Sequence, residues 1–142
     1  MFGWCEIIPR GLVLSHWDTK EGLVVLAKHP ASLQVNLEHL SMMYFSCAQD
    51  EPGTIFQVFP TKEVAERAAV TCMRAIQDGM ENDFCITALL AKEEEGSVYE
   101  EILTNTLNRV LKTKVLSTRR ARRYKEILAD SYRKIERRGG SI

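Results

Sequence analysis

Phe84-Cys85-Ile86-Thr87-Ala88-Leu89-Leu90-Ala91 runs through Lys92-Glu93-Glu94-Glu95-Gly96 into Ser97-Val98-Tyr99-Glu100, and the reading of this stretch decides the fold. The short apolar run predicts a strand, the acidic glycine-containing segment a turn, and the residues from Ser97 onward a helix. Ser97 and Glu100 have the spacing of a capping box, with the Ser97 hydroxyl taking a free amide of the first turn and Glu100 reaching back to the amide of Ser97. Downstream, Ile102, Leu103, Thr106, Leu107, Val110 and Leu111 recur at helical spacing. They form one wide apolar face that must lie on something apolar, and the neighbouring sheet is the expected partner. The stretch specifies a layer of a fold and contains no chemistry.

Beyond it, Ser117 and Thr118 precede a second amphipathic helix with Ala121, Tyr124, Ile127, Leu128, Ser131 and Ile135 along one face, ended by Gly139-Gly140-Ser141. Upstream, residues 5–29 predict a hairpin. Ile7, Ile8, Leu12, Val13 and Leu14 lead to the polar turn Trp17–Gly22, and Leu23–Ala27 return. Pro9 cannot donate to a ladder, so regular pairing is expected only after Arg10 or Gly11. Residues 33–48 switch to helical spacing through Leu37, Leu40, Met43, Tyr44, Cys47 and Ala48, with Ser32 or Asn36 as cap. The helix closes at Gln49–Gly53, and Thr54–Phe59 is a short strand stopped by Pro60. Ala68–Ile76 is read as a strand, the competing reading being one helix over Thr61–Ile76, and Gln77–Asn82 as a hairpin loop. The order strand, strand, helix, strand, strand, strand, helix, helix predicts an α+β fold, a five-stranded antiparallel sheet flanked by helices. Residues 1–116 form its body, and 117–142 a basic helix and tail packed on the same domain.

At 142 residues the chain suits one domain with one core. No segment has the roughly 20 apolar residues of a membrane helix, and the N-terminus lacks the pattern of a secretory signal, so a cytoplasmic location is expected. Cys5, Cys47, Cys72 and Cys85 lack C-x-x-C spacing and are expected to fill the core as reduced thiols. A net charge of zero conceals a division. From Arg109 onward twelve basic residues face three acidic ones, about +9, so the rest of the chain carries about −9.

The element order resembles a longin domain, the profilin-like module related to the roadblock fold. A local likeness accompanies it: the turn Trp17–Gly22, the strand Val24–Ala27 running into Lys28-His29-Pro30 ahead of a helix, and the acidic turn from Glu93 into Tyr99-Glu100-Glu101-Ile102-Leu103. These are similar to small longin-like and roadblock-like proteins found in archaea, including those related to eukaryotes. The likeness covers residues 5–116, and the basic last helix departs from the simplest pattern. It implies a non-enzymatic module that binds small GTPases, trafficking factors or a second copy of itself.

Nothing in the sequence specifies catalysis. His16, His29 and His39 and the four cysteines have no metal-ligand spacing. No phosphate-binding glycine motif exists, no motif sets a cysteine beside a histidine, and Glu93-Glu94-Glu95 read as a solvated turn before a helix N-terminus. No cofactor and no metal is therefore expected. Two surfaces remain. Arg119, Arg120, Arg122, Arg123 and Lys125 concentrate positive charge for phosphates, anionic lipid or an acidic partner; the alternative is a wetted helix face neutralised by the acidic body. Nucleic acid binding through this helix ranks behind a protein-facing role. Ile55, Phe56, Val58 and Phe59 lie on a strand without blocking charge, which predicts an edge that pairs with a partner or a second copy.

Overall fold

A computed structural model describes residues 9–18, 20–47, 53–59, 67–77, 80–90, 95–112 and 117–140. Strand β1 (Gly11–Asp18) begins where Pro9 ceases to interfere, and returns as β2 (Gly22–His29). The Asp18 carboxylate makes their turn by accepting the amides of Lys20 and Glu21 at 2.7 and 2.9 Å, and Gly22 supplies a φ of 83°. Those amides, Glu21's first, hold the Asp18 carboxyl below its ordinary value. Helix α1 (Leu37–Cys47) starts from Asn36, whose Oδ1 accepts the His39 amide at 3.1 Å, so Asn36 rather than Ser32 is the cap. Then come β3 (Gly53–Phe59), β4 (Ala68–Gln77), β5 (Met80–Leu89), a 3-10 turn at Gly96–Tyr99, α2 (Glu100–Leu111) and α3 (Ser117–Gly140).

The five strands form one sheet in the order β2-β1-β5-β4-β3, and every neighbouring pair is antiparallel. The predicted class and element order are both found. The β4 region is strand, not helix, because Val70 and Cys72 alternate with Ala69, Thr71 and Met73 between two apolar layers. The loop expected at 77–82 is shorter: pairing continues to Gln77↔Met80, leaving Asp78-Gly79 as the connection. Polar Glu81 and Asn82 join the ladder because pairing satisfies backbone groups whatever the side chain, and Asp-Gly is a favoured two-residue link.

Each face of the sheet has its own layer. On one, Leu12, Leu14, Ala69, Ile86 and Ala88 meet Ile102, Leu103, Leu107 and Val110 of α2 and Tyr124, Ile127, Leu128 and Ile135 of α3. On the other, Val13, Val70, Cys72, Cys85 and Leu89 meet Leu40, Met43, Tyr44 and Cys47 of α1. The basic helix is thus an integral layer, held by about 1.5–3 kcal/mol for each large side chain it buries. Between α2 and α3, buried Thr106 and Ser131 share a hydrogen bond of 2.7 Å. At the sheet's border, the Tyr132 hydroxyl donates to the Pro9 carbonyl.

Two expectations are corrected. No capping box forms: Ser97 lies inside the 3-10 turn and donates to Glu95 Oε1 at 2.8 Å, while α2 begins at Glu100 without a side-chain cap. The cause is packing at Gly96, where a Cβ would sit 2.9 Å from Val58 Cγ1 and 3.0 Å from Leu90 Cδ1, so the chain presses onto the sheet before the α-helix can start. The cysteines are not all reduced filler either. Cys72 and Cys85, directly opposite in the β4–β5 ladder, form a disulfide, and Cys47 is a free buried thiol. Spacing could not reveal this pair, because strand register and not sequence proximity brings the two sulfurs together. Cys5, the Gln49–Pro52 turn, the helix-forming segment after Thr61 and most of the acidic turn at 92–94 lie outside the described residues.

Candidate interaction surfaces

β3 is an edge strand, as its composition predicts, with only β4 beside it among the described residues. Its side chains alternate between the two layers. Ile55 and Phe59 join the α1 layer, and Phe56 and Val58 the layer under α2 and α3. The four residues expected at an interface therefore serve the core, Val58 through its contact with Gly96. What the edge offers outward is its backbone, flanked by exposed Thr54 and Gln57. From Gly53 to Phe59 no residue carries charge.

The opposite edge differs. Between Leu14 and Ser15 the register shifts, so β2 carries an extra residue at Leu26, a bulge that bends and twists an edge. Lys28 stands on it, its ammonium donating to the Leu33 carbonyl at 2.7 Å. Helix α3 lies along the same strand, and Lys125 closes a shallow hollow of about 220 Å³ with Val25, Leu26, Ala27, Lys28 and Ala31. Bulge, charge and covering helix are the usual defences of an edge strand.

On α3, Arg122, Arg123 and Lys125 are exposed opposite the buried Tyr124, Ile127 and Leu128; the Arg119 and Arg120 side chains lie outside the described residues. For Arg122, Arg123 and Lys125, the alternative of pairing with the acidic body has no ion pair behind it among the described residues. The ion pairs of the helix are mostly its own: Arg123 with Glu126 at 3.1 Å, and Asp130 with Arg133 and Lys134 at 3.6 and 3.7 Å. A pair to another element runs the other way, from the α2 cation Arg109 to the α3 carboxylate Asp130 at 2.7 Å. That hydrogen bond is the main reason the Asp130 carboxyl is held below its ordinary value. The apolar face fixes α3 on the sheet.

A third surface has no counterpart among the sequence expectations. Helix α1 exposes Leu37, Met42 and Phe45 at 50, 46 and 60 %. The Trp17 ring stacks on Tyr44 with centroids 5.1 Å apart, and Phe45 meets Trp17 edge-on at 5.0 Å. The available signal is that α1 is apolar nearly all round, the pattern of a helix covered on both sides.

No family model and no curated protein matches the chain. Chemistry is correspondingly sparse. Among the described residues no three His, Cys, Asp or Glu side chains gather as a metal site would need. Burial pushes the Cys47 thiol up to about 11, so it is protonated at neutral pH and a poor nucleophile. Tyr44 is raised to about 12 by burial, then by the neighbouring Asp83 carboxylate, which pairs with Arg74 at 3.6 Å. No helix among the described residues is long and apolar enough to cross a membrane.

Proposed function

We propose that this chain is a non-enzymatic protein-interaction module whose docking element is the β3 edge, taking a strand of a protein partner and, in the first place, of a second copy. The contrast between the two edges carries the reading. β2 is bulged, charged and covered, whereas β3 is regularly paired on its inner side and uncharged over its length. Strand addition there would satisfy the outer backbone groups of β3 and extend the sheet. The resemblance to longin domains supports the same class of role, service to a small GTPase or a trafficking-like assembly.

The test is set by geometry. A lysine at Val58 would disturb the Gly96 contact, so the informative variant places charge on exposed positions: Thr54→Lys with Gln57→Lys. Two copies of an antiparallel edge would then face four added cations. The wild-type mass by light scattering is expected to rise with concentration toward a dimer. The double variant should weaken that association by roughly tenfold or more, while the urea midpoint falls only slightly, by the loss of the weak hydrogen bond from Cys47 Sγ–H to Gln57 Oε1 at 3.6 Å. A wild type that stays monomeric at millimolar concentration, or a variant that associates equally well, overturns the reading.

A further inference from the structure

The cations of α3 whose side chains are described are all exposed. Over Ser117–Gly140 nine cations stand against three carboxylates, and the whole chain is neutral, so the remainder carries the compensating negative charge. Two of the three carboxylates, Glu126 and Asp130, already hold Arg123, Arg109, Arg133 and Lys134. Arg122, Lys125 and Arg137 are exposed and make no ion pair among the described residues. Arg122, Arg123, Lys125, Arg133, Lys134 and Arg137 are exposed along a helix about 36 Å long that is anchored through its apolar side.

We infer that the outer face of α3 is a docking surface for an anionic membrane surface, independent of the β3 edge. Charge complementarity calls for a polyanion, and the shape of the face selects its kind. The tyrosines of the helix are not available to stack on bases, since Tyr124 is buried and Tyr132 is half-buried with its hydroxyl on Pro9. The helix is seated on the sheet through its apolar side, so its outer face is presented lengthwise as a ridge. A long, rigid ridge of flexible cations without an apolar wedge matches a plane of anionic headgroups, where each basic residue near the surface adds a roughly fivefold gain. The face lies on the sheet side opposite α1, so docking would turn the exposed residues of α1 away from the lipid.

The decisive measurement is co-sedimentation of the full chain with vesicles of phosphatidylcholine alone or containing about 30 % phosphatidylserine. Binding is expected to the anionic vesicles at about 50 mM salt, to be lost near 500 mM, and to be absent with the neutral ones. Arg122→Ala, Lys125→Ala and Arg137→Ala together should weaken it about a hundredfold, while the urea midpoint and the concentration dependence of mass stay at wild-type values. Equal binding to neutral vesicles, or unchanged binding by the triple variant, overturns the inference. Tighter binding to a random DNA duplex than to anionic vesicles at the same salt also overturns it and assigns the face to nucleic acid.

Discussion

Two buried threonines occupy opposite situations. The Thr71 hydroxyl, fully buried on β4, has no hydrogen-bond partner among the described residues, whereas Thr106 reaches both the Ile102 carbonyl and the Ser131 hydroxyl at 2.7 Å. An unpaired buried hydroxyl costs roughly 1–3 kcal/mol, so Thr71→Val, nearly isosteric, should stabilise the fold by about 1 kcal/mol. Thr106→Val should destabilise it by about 1–2 kcal/mol, because it leaves Ser131 buried without its partner. Urea midpoints at constant slope decide both, and the same sign for the two would refute the account. The sequence places Thr106 on the apolar face of its helix but not its partner, since Thr106 finds Ser131 across 25 positions and only the docking of α3 on α2 brings them together.

Among the elements, those whose period agrees with their ends are legible in the sequence: the β1–β2 hairpin and α1 from Asn36, along with the apolar faces of α2 and α3. The features that are not legible depend on contact between elements. The expected cap at Ser97 assumes an isolated helix start, whereas Gly96 is set by its packing on Val58 and Leu90. The β4–β5 hairpin is legible in its strands and not in its register, and register is what pairs Cys72 with Cys85. The consequence is measurable. Alkylation of the denatured, unreduced chain should label Cys47 and leave Cys72 and Cys85 unmodified; prior reduction should label all four cysteines of the chain. Closing a 13-residue separation restricts the unfolded chain, so reduction should lower stability by roughly 3 kcal/mol. Full alkylation without reductant would remove the link.

At the scale of the whole molecule, the two sides of the sheet carry different surfaces. One face carries α2 and the cationic α3, and the other carries α1 with Leu37, Met42 and Phe45 exposed beside Trp17. The sequence discloses the division of charge, but its geometry requires the sheet order, which puts α3 along β2 and β3 at the far edge, unpaired on its outer side among the described residues. A membrane contact through α3 therefore has a directional consequence: α1 and β3 remain open to solution while the chain is bound. Carboxylate labelling with a carbodiimide, read by mass spectrometry, separates the faces without substitutions. Anionic vesicles should protect Glu126 and Glu136 of α3 severalfold, as desolvation and the adjoining headgroups exclude the reagent, and leave Glu38 of α1 reacting at its free rate. Oxidation of exposed Met42 should likewise be unchanged. Protection of Glu38 and Met42 with Glu126 still reactive would reverse the orientation, placing α1 against the lipid and leaving the cations of α3 for a soluble partner.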